Sequence, residues 1–255
     1  MIQEKPLKIA IVGKGGVGKT AISTLLVKAL LDIQKYKLLL IDADPTHPHL
    51  SNMVKLKPDK SLEEIRLDAV KEAHRKDTEP KSLAEKIDFN VYEGMAESKN
   101  FCLFSIGQPE GPGCFCPSNT LLRKVIESIS HDFDIVLIDC EAGLEQINRM
   151  VLKSVDYLLI VADISIRSIE TANSIKNNAK IFTNYKKLGV IINKVRGNID
   201  KILTKLEEYE LPLLGEIPED EIIISYDLNG SPLIDIPETA ISYKIVREMV
   251  EKILN

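Results

Sequence analysis

Apolar and polar residues alternate along this chain in two rhythms. Short β-branched or Leu-rich runs occur at 8–12, 37–41, 88–92, 134–138, 157–162, 189–192 and 212–216. Longer stretches with apolar residues at helical spacing occupy 18–32, 118–130, 165–179, 199–209 and 240–254. In the first of these, Ile22, Leu25, Leu26, Ala29 and Leu30 fall at i, i+3, i+4 and i+7, which gives one buried helix face. Uninterrupted apolar strands interleaved with amphipathic helices are the pattern of a parallel sheet covered on both faces. The predicted fold class is α/β, a doubly wound and mostly parallel sheet.

Two segments break the rhythm. Residues 55–86 are charged and poor in strand formers, and are expected to form helices or a flexible insertion. Residues 107–117, GQPEGPGCFCP, are dense in Gly and Pro and predict a loop before a helix at Ser118. No repeat or Pro/Ser-rich linker divides the 255 residues, so a single domain over 1–255 is expected.

Composition narrows the function classes. With 44% hydrophobic and 28% charged residues the chain reads as a soluble globular protein. A net charge of −5 gives no basic surface for nucleic acid. No apolar run approaches the ~20 residues needed to span a bilayer, and the N-terminal segment lacks the parts of a signal peptide. The amphipathic helix at 240–254 balances Lys244, Arg247 and Lys252 against Glu248 and Glu251, which suits core packing better than a membrane surface. A cytoplasmic location with no membrane and no nucleic-acid partner is the expectation. In that compartment the four cysteines, Cys102, Cys114, Cys116 and Cys140, are read as ligands, redox groups or core filler before disulfides.

The candidate chemistry starts at IAIVGKGGVGKTA, where Gly13, Gly18, Lys19 and Thr20 fit G-x-x-x-x-G-K-[ST] after a strand and at the start of a helix. Gly13, Gly15, Gly16 and Gly18 let backbone N–H groups close around a β-phosphate at the positive end of the following helix. Lys19 is expected to reach the β/γ oxygens, and the Thr20 hydroxyl to ligate Mg²⁺. The expected nucleotide-contacting set runs through Gly13, Lys14, Gly15, Gly16, Val17, Gly18, Lys19, Thr20 and Ala21. Lys14 is a second lysine with little to do in its own site. It is placed to lean across a dimer interface onto the other protomer's phosphates.

The string KGGVGKT resembles the deviant Walker A group of P-loop ATPases, which includes MinD and ParA, nitrogenase iron protein and the arsenical and tail-anchored protein ATPases. The resemblance covers nearly the whole chain. It implies a MinD-like P-loop fold, ATP hydrolysis with Mg²⁺, and an ATP-dependent sandwich homodimer. It also assigns residues. Asp44, before Pro45 in LLLIDADPTHP, stands where the group's carboxylate orients the attacking water, with Asp42 near the Mg²⁺ shell. Asp139 in IVLIDCEAGLE stands at the Walker B position, where it is expected to hold a Mg²⁺-bound water, and Gly143 lends the following switch its backbone freedom. Glu141 and Glu145 are open between a solvated and a dimer-bridging role. Asn193 stands where the group reads the adenine edge, and Pro218 and Glu219 match the loop that closes over the base. Two departures stand out. His47 and His49 flank Pro48 where an Asn-Pro-Asn-like stretch is expected, and are open between extra metal ligands and helix capping. Ala21 replaces a frequent Thr or Ser.

In GPGCFCPSNTLLR, Cys114 and Cys116 cannot bond to each other without strain, and supply two of the four ligands of a tetrahedral soft-metal site. Two protomers meeting at this loop would complete a Cys₄ set on the two-fold axis, coupling metal affinity to nucleotide state. The CFCP string with DCEAGLEQINR resembles the CooC-type nickel-insertion ATPases of carbon monoxide dehydrogenase and acetyl-CoA synthase maturation. That resemblance implies a dimeric metallochaperone holding Ni²⁺, or Zn²⁺ in its place, with such an enzyme as client. Three other readings stay in view: an iron–sulfur electron donor like nitrogenase iron protein, a positioning ATPase of MinD or ParA type, and an iron–sulfur cluster carrier. Cys102 and Cys140 lie in or beside apolar runs and are read as buried filler.

Overall fold

The computed structural model describes residues 6–44, 49–73, 80–107, 124, 126–140, 154–182 and 184–255. In chain order the elements are β1 (Leu7–Gly13), α1 (Lys19–Asp32), β2 (Leu38–Ala43), α2 (Leu50–Met53), α3 (Leu62–Ala73), α4 (Pro80–Gly94), β3 (Ala96–Glu97) and β4 (Phe101–Ser105). There follow a short α5 (126–130), β5 (Ile135–Cys140), β6 (Ser154–Ala162), α6 (Ile166–Phe182), β7 (Asn184–Val195), α7 (Asp200–Glu208), β8 (Leu213–Pro218), α8 (Glu221–Asn229) and α9 (Ile241–Leu254). The strands form one eight-stranded sheet in the order β3-β4-β2-β5-β1-β6-β7-β8. Among the described residues only the β3–β4 pair is antiparallel.

Period-two alternation splits each central strand between two cores. Ile9, Ile11, Leu38, Leu40, Ile135 and Leu137 join one core with α1 and α9, through Leu25, Leu26, Val246 and Met249. Ala10, Val12, Leu39, Ile41, Val136 and Ile138 join the other with α3, α4, α5, α6 and α7, through Ile65, Val91, Ile129, Ile169 and Leu206. Because both faces are covered, β2 and β5 are buried at every position. The expected doubly wound α/β sheet is what forms. Among the described residues no helix is long and apolar enough to cross a membrane.

Most expected elements appear with ends shifted by a few residues. The exception is 88–92, expected as a strand and found inside helix α4. Its Ile87 and Val91 are buried one turn apart, while Phe89 and Tyr92 are 63% and 51% exposed. The aromatic and β-branched content of this segment suggests a strand, but the apolar spacing that is buried is helical. The strand that takes the place beside β2 is β4, an apolar run not anticipated, with Leu39 in register with Cys102. Residues 55–86 hold α3 and the first part of α4. Cys102 and Cys140 are buried, as expected of filler. The helix expected over 118–130 is seen at 124 and 126–130, and its earlier residues lie outside the described ones.

Candidate functional site

The site is built at the C-terminal ends of the central strands, where open α/β sheets bind ligands. β1 ends at Gly13, whose backbone passes so close to β6 that a Cβ there would lie 2.2 Å from the Val161 carbonyl oxygen. The loop then turns into α1 through Gly18 at φ 92°, where a Cβ would meet the Asn193 amide at 2.6 Å. Glycine is required at Gly13 by contact with backbone, and at Gly18 by conformation. Lys19 folds back over the loop, its Nζ 3.3 Å from the Lys14 carbonyl oxygen. Lys14 itself is exposed.

Beneath the loop, parallel pairing of β2 and β5 sets Asp42 opposite Asp139. Both carboxylates are buried, at 1% and 2% exposure. Asp139 accepts from the Ser23 hydroxyl at 2.9 Å and from Thr20, both on α1. Burial raises its pKa to about 6 against the lowering effect of those two hydroxyls and Lys19. Burial, and then the Asp139 charge, raise Asp42 to about 7, although the Asp44 and Leu50 N–H groups donate to it. One Asp42 oxygen, Oδ2, is buried with no hydrogen-bond partner among the described residues. An unpartnered carboxylate oxygen beside a second carboxylate and a threonine hydroxyl is a donor set that suits a hard divalent cation such as Mg²⁺. Among the described residues no group of three or more His, Cys, Asp or Glu side chains is arranged to hold a metal alone. That suits an ion whose remaining ligands are phosphate oxygens and water.

A cleft of about 730 Å³ opens above this cluster. It brings together Gly15, Gly16, Gly18, Lys19, Thr20, Ala21, Asp44, Asn193, Pro218 and Glu219, all singled out from sequence. Asn193 is 6% exposed and its Nδ2 donates to the Val17 carbonyl oxygen at 2.8 Å. Pro218 closes β8, and Glu219 pairs with Arg196 from the end of β7. His49 lines the same cleft, at the N-cap position of α2 but without a side-chain capping bond. Pro45, His47, Cys114, Cys116, Glu141, Gly143 and Glu145 lie outside the described residues.

Sequence reasoning missed the far wall. Helix α8 contributes Ile223, Ile224 and Asp227, and Lys194 and Asp220 complete the rim. Asp220 accepts from the Ile222 N–H at 2.9 Å as the α8 N-cap, and from the Ser242 hydroxyl of α9 at 2.6 Å. A capping aspartate before the apolar run Ile222–Ile223–Ile224 was a legible signal for this helix. The arrangement can hold a triphosphate on backbone N–H groups and a lysine, place a cation under it, and enclose a flat base between β7, β8 and α8.

Comparison with known proteins agrees with that geometry. The CobQ/CobB/MinD/ParA nucleotide binding domain matches residues 8–233. An uncharacterised ATP-binding protein of Methanocaldococcus jannaschii is 37% identical over 252 residues, covering 97% of this chain and 98% of its own. The carbon monoxide dehydrogenase accessory protein CooC of Rhodospirillum rubrum is 30% identical over 242 residues, covering 90% of each chain. Among solved structures, the Pyrococcus furiosus cell division ATPase MinD superposes with a TM-score of 0.70 at 25% identity, over 97% of this chain and 98% of its own.

Proposed function

Since the chain belongs to the CobQ/CobB/MinD/ParA nucleotide-binding family and is an ATP-hydrolysing enzyme of that kind, we propose that it works as a dimeric metallochaperone whose ATP cycle paces Ni²⁺ delivery to a carbon monoxide dehydrogenase or acetyl-CoA synthase type enzyme. The observation that carries this reading is the C-x-C pair, Cys114 and Cys116, in a chain alignable over 90% of its length with a carbon monoxide dehydrogenase accessory protein. The place where the cysteine segment leaves the sheet supports it. The Ile106 N–H, one residue before Gly107, donates to the Asp42 carbonyl oxygen at 2.9 Å. The segment therefore starts at the nucleotide end of the sheet.

In this reading the loop from Gly13 to Ala21 cradles the phosphates, and Lys19 neutralises the β/γ oxygens. Thr20, Asp139 and Asp42 would hold Mg²⁺ and its water shell, which when bound would supply positive charge against the phosphates. Asp44, at the mouth of the cleft, orients the attacking water. Lys14, exposed on the loop, reaches the γ-phosphate of a second protomer. Asn193, Pro218 and Glu219 border the adenine. Cys114 and Cys116 of two protomers form a Cys₄ site for Ni²⁺, or for Zn²⁺ in its place.

The deciding experiment is equilibrium Ni²⁺ titration with particle sizing, with and without ATP, on the wild type and on the Cys114→Ser/Cys116→Ser double variant. One Ni²⁺ per dimer is expected, lost in the variant while nucleotide binding is kept. A double variant that still binds one Ni²⁺ per dimer overturns the chaperone reading.

A further inference from the structure

Asn193 and Lys194 are adjacent on β7, and in a regular strand adjacent side chains point to opposite faces. Here both reach the same loop. The Asn193 Nδ2 donates to the Val17 carbonyl oxygen at 2.8 Å, and the Lys194 Nζ to the Gly16 carbonyl oxygen at 3.0 Å. The local backbone allows it. The β7–β8 register shifts between Ile192 and Val195, and Lys194 is held at φ 57°. A bulge of this sort re-aims side chains at the rim of a site. A lysine occupies the left-handed region at a cost, and such strain persists where surrounding structure enforces it, often beside functional sites.

We propose that Lys194 is a positioning residue for the phosphate loop. Together with Asn193 it clamps two consecutive carbonyls. In a trans peptide the C=O and the next N–H point in opposite directions. Holding the Gly16 and Val17 oxygens toward β7 therefore turns the Val17 and Gly18 N–H groups away from β7. The loop is set for an anion before one arrives. A glycine-rich loop otherwise loses much backbone freedom on binding, and the clamp removes that loss beforehand. Arg196, the next cation along the chain and just past the end of β7, is engaged by Glu219, which leaves Lys194 to serve the loop. The inference rests on ATP binding and is independent of Ni²⁺.

The test is Lys194→Gly, which removes the ammonium and also relieves the strained backbone. Mg²⁺·ADP affinity and the KM for ATP are expected to weaken about three- to tenfold, the loss of one hydrogen bond from a charged donor at an exposed position. The kcat at saturating ATP should stay within about twofold, as for lost uniform binding. The thermal midpoint of the nucleotide-free protein should hold or rise, because glycine tolerates this conformation. Lys194→Arg should restore most of the affinity. Unchanged ADP affinity in Lys194→Gly overturns the proposal. So does an affinity loss accompanied by a lowered midpoint, the mark of a merely structural lysine.

Discussion

Two carboxylates one strand apart, each almost fully buried, make the energetic weak point of this site at residue scale. Among the described residues Asp42 keeps one oxygen without a hydrogen-bond partner beside Asp139, an arrangement that costs stability until a cation or a donor arrives. At pH 8, Asp42→Asn is expected to raise the stability of the nucleotide-free protein by about 1–2 kcal/mol, since it removes one of two adjacent charges. The same change should weaken the Mg²⁺ dependence of ADP binding about tenfold. Denaturant unfolding and ADP titration with and without Mg²⁺ check both halves, and a destabilised variant with normal Mg²⁺ dependence refutes the account. Lys19 and Asp44 predict separable losses. Lys19→Ala should abolish turnover, while Asp44→Asn should bind ATP with near-normal affinity and fail to hydrolyse it, as phosphate-release and equilibrium-binding assays would read.

At the scale of elements, α4 gives a discriminating pair of substitutions. Ile87→Ala should cost about 2–5 kcal/mol because the side chain lies in the core. Phe89→Ala should cost less than about 0.5 kcal/mol because that ring is exposed. A strand at 88–92 would put Phe89 and Val91 on one face, so burying Val91 would bury Phe89 too and make Phe89→Ala costly. The joint between β8, α8 and α9 runs through Asp220. Burial works against its charge, but the Ser242 hydroxyl and N–H and the Ile222 N–H hold its pKa below the ordinary value of 3.8. A carboxylate lowered in this way contributes stability above its unfolded-state value and loses it as pH falls through the lower folded-state value. Asp220→Ala is therefore expected to cost about 1–2 kcal/mol at pH 7, a lost cap and a lost link, with the gap to wild type narrowing below pH ~4. Unfolding curves at the two pH values measure it.

At the scale of the whole molecule, the cleft is bounded by residues from the ends of β7 and β8, by the loop after β1, and by α1, α2 and α8. A ligand there ties together segments nearly two hundred positions apart, as the Asn193–Val17 bond already does at a separation of 176. Mg²⁺·ADP at a hundredfold excess over its dissociation constant should add about 2.7 kcal/mol, which for a chain of this size is roughly 5–10 °C in thermal midpoint. Chelating Mg²⁺ should remove much of that gain, and a midpoint indifferent to both would sink the assignment of the cleft. What the residue order alone determined about this protein is what short stretches encode: the strand–loop–helix at Gly13 to Thr20, the acid ending β5, the apolar periods that build a covered parallel sheet. Those patterns depend on neighbours within a turn or a few residues, so they are legible without a fold. Only tertiary structure decided that 88–92 winds into a helix, that Asp42 faces Asp139, and that a bulge turns Lys194 onto the phosphate loop. Each of those depends on strand register and on which surface lies opposite, and these are set by contacts between residues distant in the chain.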